Sequence, residues 1–291
     1  MFKGTMTALV TPFKDGRVDT RAFEQLIERQ IAAGLEGIVP VGTTGESPTL
    51  SMEEHLRVIE VAIQVARKRT LVVAGTGSNS TAEAIELTQG AEKAKADAVL
   101  IVAPYYNKPS QEGLFEHFSA IARSTDLPII LYSIPGRCGV EIGVETVARL
   151  AQAHQNIRAL KESSGSTDRL SLLKRAVPES FSLLSGDDYM TVPFISVGAV
   201  GVISVASNVV PLRVKKMVDA ALAGDFASAQ KQHLDLYPLF KDLFIEPNPV
   251  PSKAAMHRQG WMSDEVRLPL VKMSEGAREK LFLTLDQLGI K

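Results

Sequence analysis

A lysine at the end of a buried strand is either a cation reaching for water or a nucleophile, and Lys161 stands at that choice. In the run Ile157-Arg158-Ala159-Leu160-Lys161, strict alternation puts Ile157, Ala159 and Lys161 in one phase and Leu160 in the other. In one reading the amine extends to solvent or pairs with a carboxylate such as Glu162. In the other, a desolvated pocket disfavours the ammonium form, and the free amine attacks a carbonyl to form a Schiff base. Arg137 offers a planar fork that binds a carboxylate at two points, or it is a surface arginine. Gly42-Thr43-Thr44-Gly45-Glu46 combines two turn-permitting glycines with two hydroxyls. That loop is a nest for a small carboxylate or phosphate, or an ordinary strand-to-helix turn. Tyr105 and Tyr106 close one apolar run and Tyr132 the next, so three of the five tyrosines gather at strand ends. Such a phenol can equally bury its ring and leave its hydroxyl wet.

Other motifs exclude more than they offer. Gly75-Thr76-Gly77-Ser78-Asn79-Ser80 opens like a dinucleotide fingerprint, but Ser80 occupies the third glycine's place, so a tight turn with a helix cap is the better reading. No Walker loop and no G-x-S-x-G elbow occur. The five histidines, His55, His117, His154, His233 and His257, show no zinc spacing, so no metal site is expected. The lone cysteine, Cys138, excludes an intramolecular disulfide framework. With no histidine beside it, it reads as a small inert side chain in a reducing compartment.

These residues need a scaffold. Eight short apolar runs, Thr5–Val10, Gly37–Val41, Leu71–Ala74, Ala98–Val102, Ile129–Tyr132, Ile157–Lys161, Phe181–Leu184 and Gly201–Ser204, alternate with segments of helical period. Runs apolar on both faces suit a parallel sheet covered by helices. One helix opens with a capping box, Ser51 with Glu54, and carries Leu56, Ile59, Ile63 and Ala66 on one stripe. Another opens at Ser80, paired with Glu83 in the same way. About eight strand–helix units fit a closed (β/α)8 TIM barrel, an α/β fold whose active site lies past the C-terminal strand ends. An open doubly wound sheet is the competitor, but no break in composition divides the units. Residues 1–224 read as the barrel carrying the site. Residues 225–291 read as a C-terminal helical region around a rigid connection, Glu246-Pro247-Asn248-Pro249-Val250-Pro251. The apolar stretch Pro193–Pro211 contains Ser196, Gly198, Gly201, Ser204, Ser207 and Asn208, which favours a buried helix and strand over a membrane span.

The 291 residues carry 32 basic and 33 acidic side chains, a net charge of −1. That balance speaks against nucleic acid as a partner, since phosphate binding calls for a basic excess. With 45% hydrophobic and 22% charged residues the chain can bury a large core without staples. The N-terminus, with Lys3 before a short apolar stretch and then Pro12 and Asp15, lacks a signal-peptide pattern, so a cytoplasmic location is expected and no membrane partner.

Together the motifs resemble the pyruvate-dependent class I aldolases, and within them the dihydrodipicolinate synthases most closely. The resemblance spans essentially the whole chain. It runs from Thr7-Ala8-Leu9-Val10-Thr11-Pro12-Phe13 through Val41–Ser47, Ala103–Ser110, Lys161-Glu162-Ser163-Ser164-Gly165 and Leu184-Ser185-Gly186-Asp187-Asp188 to Glu246-Pro247-Asn248-Pro249. It implies a lyase condensing pyruvate with L-aspartate 4-semialdehyde to 4-hydroxy-tetrahydrodipicolinate, the first committed step toward diaminopimelate and lysine. It implies Lys161 as the Schiff-base residue, with Thr44, Tyr132 and Tyr106 as a proton relay, Tyr106 being supplied across a subunit interface. Thr43 and Thr44 would meet the pyruvate carboxylate and Arg137 that of the semialdehyde, with the backbones of Gly186 and Ile203 lining the pocket. No metal and no organic cofactor are implied, and the assembly would be a homotetramer, a dimer of dimers. Ser47, His55, Asn79, Glu83 and Tyr105 match an allosteric lysine site. Pro48 and Met52 depart from that site's pattern where relatives often have alanine and histidine, so weak or altered lysine sensitivity is expected. Ser133 and Cys138 depart from the pattern beside the second-substrate region. The alternatives are a sister enzyme, N-acetylneuraminate lyase or a 2-keto-3-deoxy sugar acid aldolase, and a non-catalytic barrel that binds a small molecule. Sugar-acid relatives commonly lack an arginine equivalent to Arg137.

Overall fold

The eight apolar runs do pair into a closed barrel. In the computed structural model, which describes residues 2–291, the strands are Gly4–Ala8, Gly37–Val39, Leu71–Gly75, Ala98–Val102, Ile129–Ser133, Ile157–Glu162, Ser182–Ser185 and Gly201–Ser204. Each lies parallel to the next, and the eighth closes against the first, with Met6 opposite Ile203. Side chains alternate between two cores. Met6, Ala8, Val39, Val73, Leu100, Ile130, Ala159, Leu184 and Ile203 fill the barrel, with Phe2 buried in the same cluster. Leu131, Leu160, Leu183 and Val202 point outward to the helices.

Two strands end earlier than their apolar runs. The second stops at Val39 because Pro40 cannot donate to the ladder and Val41 takes a left-handed φ of 52°. Ile157 also departs from its expected phase. It lies opposite Ile129 while Ala159 lies opposite Ile130, so Arg158 is an extra, exposed residue, and Ile157 joins the outer core. Beyond that bulge Ala159 and Lys161 share the inward phase.

The capping box at Ser51 forms and opens the helix Met52–Ala66. At Ser80 only half of it forms. Ser80 caps Thr81–Lys93, but the Glu83 carboxylate accepts from Ser78 Oγ at 2.6 Å instead of from the Ser80 amide. The Ser80 amide donates to that same Ser78 hydroxyl, which reaches both groups. Pro193–Pro211 holds the end of the short helix Thr191–Ser196 and then the eighth strand. One element was not foreseen, a two-stranded hairpin of Phe13–Lys14 and Arg17–Val18. Its signal was present, because Asp15-Gly16 with both φ values positive is a two-residue hairpin turn.

After Gly224 come three helices, Phe226–Asp242, Val250–Arg258 and Glu275–Gln287. They are fastened to the barrel near the second strand's loop. Lys253 forms a buried ion pair with Glu46 and donates to the Glu265 carbonyl at 2.9 Å. Arg267 forks onto Glu54 at 2.6 and 2.7 Å. The Lys253 and Arg267 cations flank Phe13, 4.1 and 4.4 Å from its ring centre. Among the described residues no helix is long and apolar enough to cross a membrane.

Candidate active site

Lys161 emerges near the C-terminal end of the sixth strand, directly opposite Tyr132 on the fifth. It is 5% exposed, and its Nζ lies 4.0 Å from the centre of the Tyr132 ring. Burial pulls the amine down to about 8; Asp187 and Asp188 oppose that, and Arg137 adds to it. An amine so placed is about half free base at pH 8, where an ordinary lysine is almost wholly protonated. Tyr132 is buried too, and burial with nearby Asp187 raises its phenol above the ordinary value, so it holds its proton as a neutral donor.

Ser163, two residues beyond Lys161, turns a buried hydroxyl into the same space. It lies close enough to Tyr132 to ease the phenol's shift, yet it makes no well-formed hydrogen bond. Gly186 faces both. A Cβ at that position would fall 1.9 Å from Ser163 Oγ and 3.0 Å from Lys161 Cε, so only glycine leaves the lysine its place. Ile203 contributes to the barrel filling from the eighth strand.

The Gly42–Glu46 loop folds on itself, with the Gly45 amide donating to Gly42 and the Glu46 amide to Thr43. Thr43 is half-buried. Thr44 is buried, and its Oγ1 accepts from Asn248 Nδ2 at 3.0 Å. Arg137 is exposed on the short helix Pro135–Cys138, and its Nη2 donates to the Asn248 carbonyl at 3.3 Å. Cys138 is buried, and its thiol is pushed up to about 11 by burial, which matches the inert reading. The Ser133 hydroxyl is buried and accepts from the Ile142 amide at 3.4 Å. Both departures from the family pattern are therefore turned into packing.

Tyr106 is not brought to Lys161 within the chain. It is 89% exposed and held at φ 71°. Four of the five residues matched to an allosteric site do converge. Ser47, His55, Glu83 and Tyr105 line one pocket of about 180 Å³ together with Pro48 and Met52. Asn79 adjoins it, donating to the Tyr105 carbonyl at 3.1 Å. Burial lowers the His55 imidazole below its ordinary value, and its Nε2 donates to the Gly75 carbonyl at 2.7 Å.

Sequence reasoning gave no role to Asp187, Asp188, Ser163 or Asn248. Burial pushes Asp187 up to about 6, with Lys161 pulling it back. Asp188 is buried and anchors the eighth strand's loop, accepting from Ser204 Oγ, the Val205 amide and the Ala206 amide. The rule that the residues just past barrel strand ends face the site would have found both acids. Asn248 stands in the Glu246-Pro247-Asn248-Pro249 motif, but nothing in that motif gave it a role, because its partner Thr44 lies far back along the chain.

The family model for the dihydrodipicolinate synthetase family matches residues 1–288. A 4-hydroxy-tetrahydrodipicolinate synthase of Syntrophus aciditrophicus is 53% identical over 290 residues, 100% of this chain and 99% of the relative. The solved 4-hydroxy-tetrahydrodipicolinate synthase of Methylacidiphilum fumariolicum SolV superposes with a TM-score of 0.98 at 55% identity, covering 99% of this chain and 96% of that one. The dihydrodipicolinate synthase of Aquifex aeolicus superposes with a TM-score of 0.98 at 50% identity, covering 99% of each chain.

Proposed function

The chain belongs to the dihydrodipicolinate synthetase family, and from that premise we propose that it condenses pyruvate with L-aspartate 4-semialdehyde through a Schiff base on Lys161. It is a lyase of diaminopimelate and lysine biosynthesis. The observation that carries the Schiff-base reading is the buried Lys161, lowered to about 8 and packed on the Tyr132 phenol. The free Nζ lone pair attacks the keto carbon of pyruvate. The carbinolamine loses its hydroxyl as water, with a proton supplied by a neighbouring hydroxyl, and leaves an iminium. Its positive nitrogen acidifies the methyl protons, and loss of one gives an enamine. The enamine carbon then bonds to the aldehyde carbon, the resulting alkoxide takes up a proton, and the amine of the semialdehyde displaces Lys161 from the re-formed iminium, which closes the ring and frees the lysine. The iminium is the electron sink, so this chemistry calls on no metal and no organic cofactor.

Thr44 and Tyr132 are the hydroxyls we assign to these proton transfers, with Tyr106 reaching in from a second subunit of a homotetramer. Thr43 and Thr44 would receive the pyruvate carboxylate, and Arg137 that of the semialdehyde. Holding two reactants in register in this way supplies roughly 7–11 kcal/mol in ideal cases. Arg137 and the named activity of the relatives favour this reaction over that of a sugar-acid aldolase. The pocket of Ser47, His55, Glu83 and Tyr105 is proposed to bind lysine weakly, because Met52 and Pro48 fill its wall. A cytoplasmic location suits the lone buried thiol.

Borohydride reduction in the presence of pyruvate tests the mechanism. The keto acid should become fixed to Lys161, read by peptide mass. An adduct that forms elsewhere, or that survives Lys161→Ala, refutes it. Turnover with aspartate semialdehyde, set against N-acetylmannosamine and glyceraldehyde-type acceptors, tests the second substrate.

A further inference from the structure

Two site residues from different loops meet on Asn248. Its side chain is buried; its Nδ2 donates to Thr44 Oγ1, and its backbone carbonyl accepts from Arg137 Nη2. Both ends of the Thr44 bond are clamped. Lys253, one turn into the helix that follows Asn248, is ion-paired with Glu46, two residues after Thr44. The amide is used at one end only. Asn248 Oδ1 is buried without a partner, a penalty that a purely structural asparagine would avoid by bonding at both ends.

A hydroxyl carries one hydrogen and two lone pairs. When Thr44 Oγ1 accepts from an amide N–H, its own hydrogen must point away from Asn248. Among the described residues Thr44 donates that hydrogen to no protein acceptor, so it is free to serve the barrel mouth, where Tyr132 and Lys161 stand. We infer that Asn248 is a positioning residue that fixes the direction of the hydroxyl relay through Thr44. By holding Arg137 as well, it sets the spacing between the two substrate carboxylate sites. The inference rests on the roles proposed above for Thr44 and Arg137. It gives the helical region beyond Gly224 a part in the reaction.

The decisive variant is Asn248→Asp, which keeps the size and removes the donor. At pH 8 a carboxylate only accepts, so the Thr44 hydrogen turns back toward residue 248. The expected fall in kcat is about 100-fold, the size of a lost general acid–base contribution. The deficit relative to wild type should shrink severalfold as the pH is lowered to 6, because burial raises the new carboxyl and its protonated form donates again. Asn248→Ala, which loses the contact without burying a charge, should show no such recovery with acid. A second measurement does not depend on that variant's folding. In the cycle of Asn248→Ala with Thr44→Val, the double variant should match Thr44→Val alone within about twofold, whereas independent residues would multiply their losses.

Asn248→Asp retaining activity within about threefold of wild type at pH 8 overturns the inference, and is the result expected if Oδ1 faced Thr44 instead. Multiplying losses in the cycle overturn it too. A wild-type enzyme that neither traps pyruvate nor condenses it overturns the functional reading and this inference together. A wild type that does both, with either variant result failing, overturns this inference alone.

Discussion

Lys161 shows how a single side chain's surroundings decide its chemistry. Water would keep this amine protonated; burial lowers it to about 8, and Asp187 limits how far it falls. The sign of the pH dependence follows. The nucleophile is the deprotonated form, so kcat/KM for pyruvate should rise about tenfold per pH unit below 8 and level off above it. Asp187→Asn removes a charge that steadies the ammonium, so the rising limb should move to lower pH. A limb that stays put or moves up would contradict the assignment. Gly186 gives a steric test at the same scale. Gly186→Ala forces a methyl against Ser163 Oγ and Lys161 Cε and should lower kcat/KM by at least about tenfold, since a displacement of about 1 Å at a reacting group costs up to 10²-fold. Adding Ser163→Ala should recover part of the loss, by removing the nearer clash. The lysine was legible in the sequence because a charged residue ended an apolar run. The need for glycine was not, because the atom it must avoid belongs to a different strand's loop.

At the scale of elements, the strand alternation that turned Ala159 and Lys161 inward was readable directly, and only the bulge at Arg158 interrupted it. What the pattern could not give was how the C-terminal helices are attached. The buried pair of Lys253 and Glu46 joins the helix Val250–Arg258 to the loop after the second strand. Lys253→Met leaves Glu46 buried and unpaired, and should cost about 3–5 kcal/mol in chemical denaturation. Adding Glu46→Gln should return much of that, because no uncompensated charge is left. Equal stability of Lys253→Met and wild type would show that the pair does not fasten these elements. The proline-spaced segment that reads as a connection joins the helices Phe226–Asp242 and Val250–Arg258, and it also delivers Asn248 to Thr44. That delivery depends on a side chain more than two hundred positions away, beyond the reach of any local signal.

At the scale of the whole molecule, closure of the parallel barrel brings the C-terminal strand ends and the loops that follow them to one end, which carries Thr44, Tyr132, Lys161 and Gly186. Tyr106 stays outside, exposed at the surface of the single chain. If it serves a partner's site, Tyr106→Phe and Lys161→Ala should complement each other. Co-refolded mixtures of the two inactive variants would regain about a quarter of wild-type activity, since half of the dimers would be mixed and one of their two sites complete. A Tyr106→Phe variant that stays active would place Tyr106 outside the reaction, and mixtures as inactive as their components would place it within its own subunit's site.

The sequence by itself determined the barrel, its strand phases apart from the bulge at Arg158, and the chemistry-bearing lysine, phenols, hydroxyls and arginine, because periodicity and residue type are local properties. Only the tertiary structure decided that Gly186 must lack a side chain, that Ser133 and Cys138 turn into the packing, and that Asn248 holds Thr44. Each of these depends on atoms brought together by closure of the barrel and docking of the C-terminal helices, and a hydrogen bond or a clash between distant segments leaves no mark on the residues that flank it in the chain.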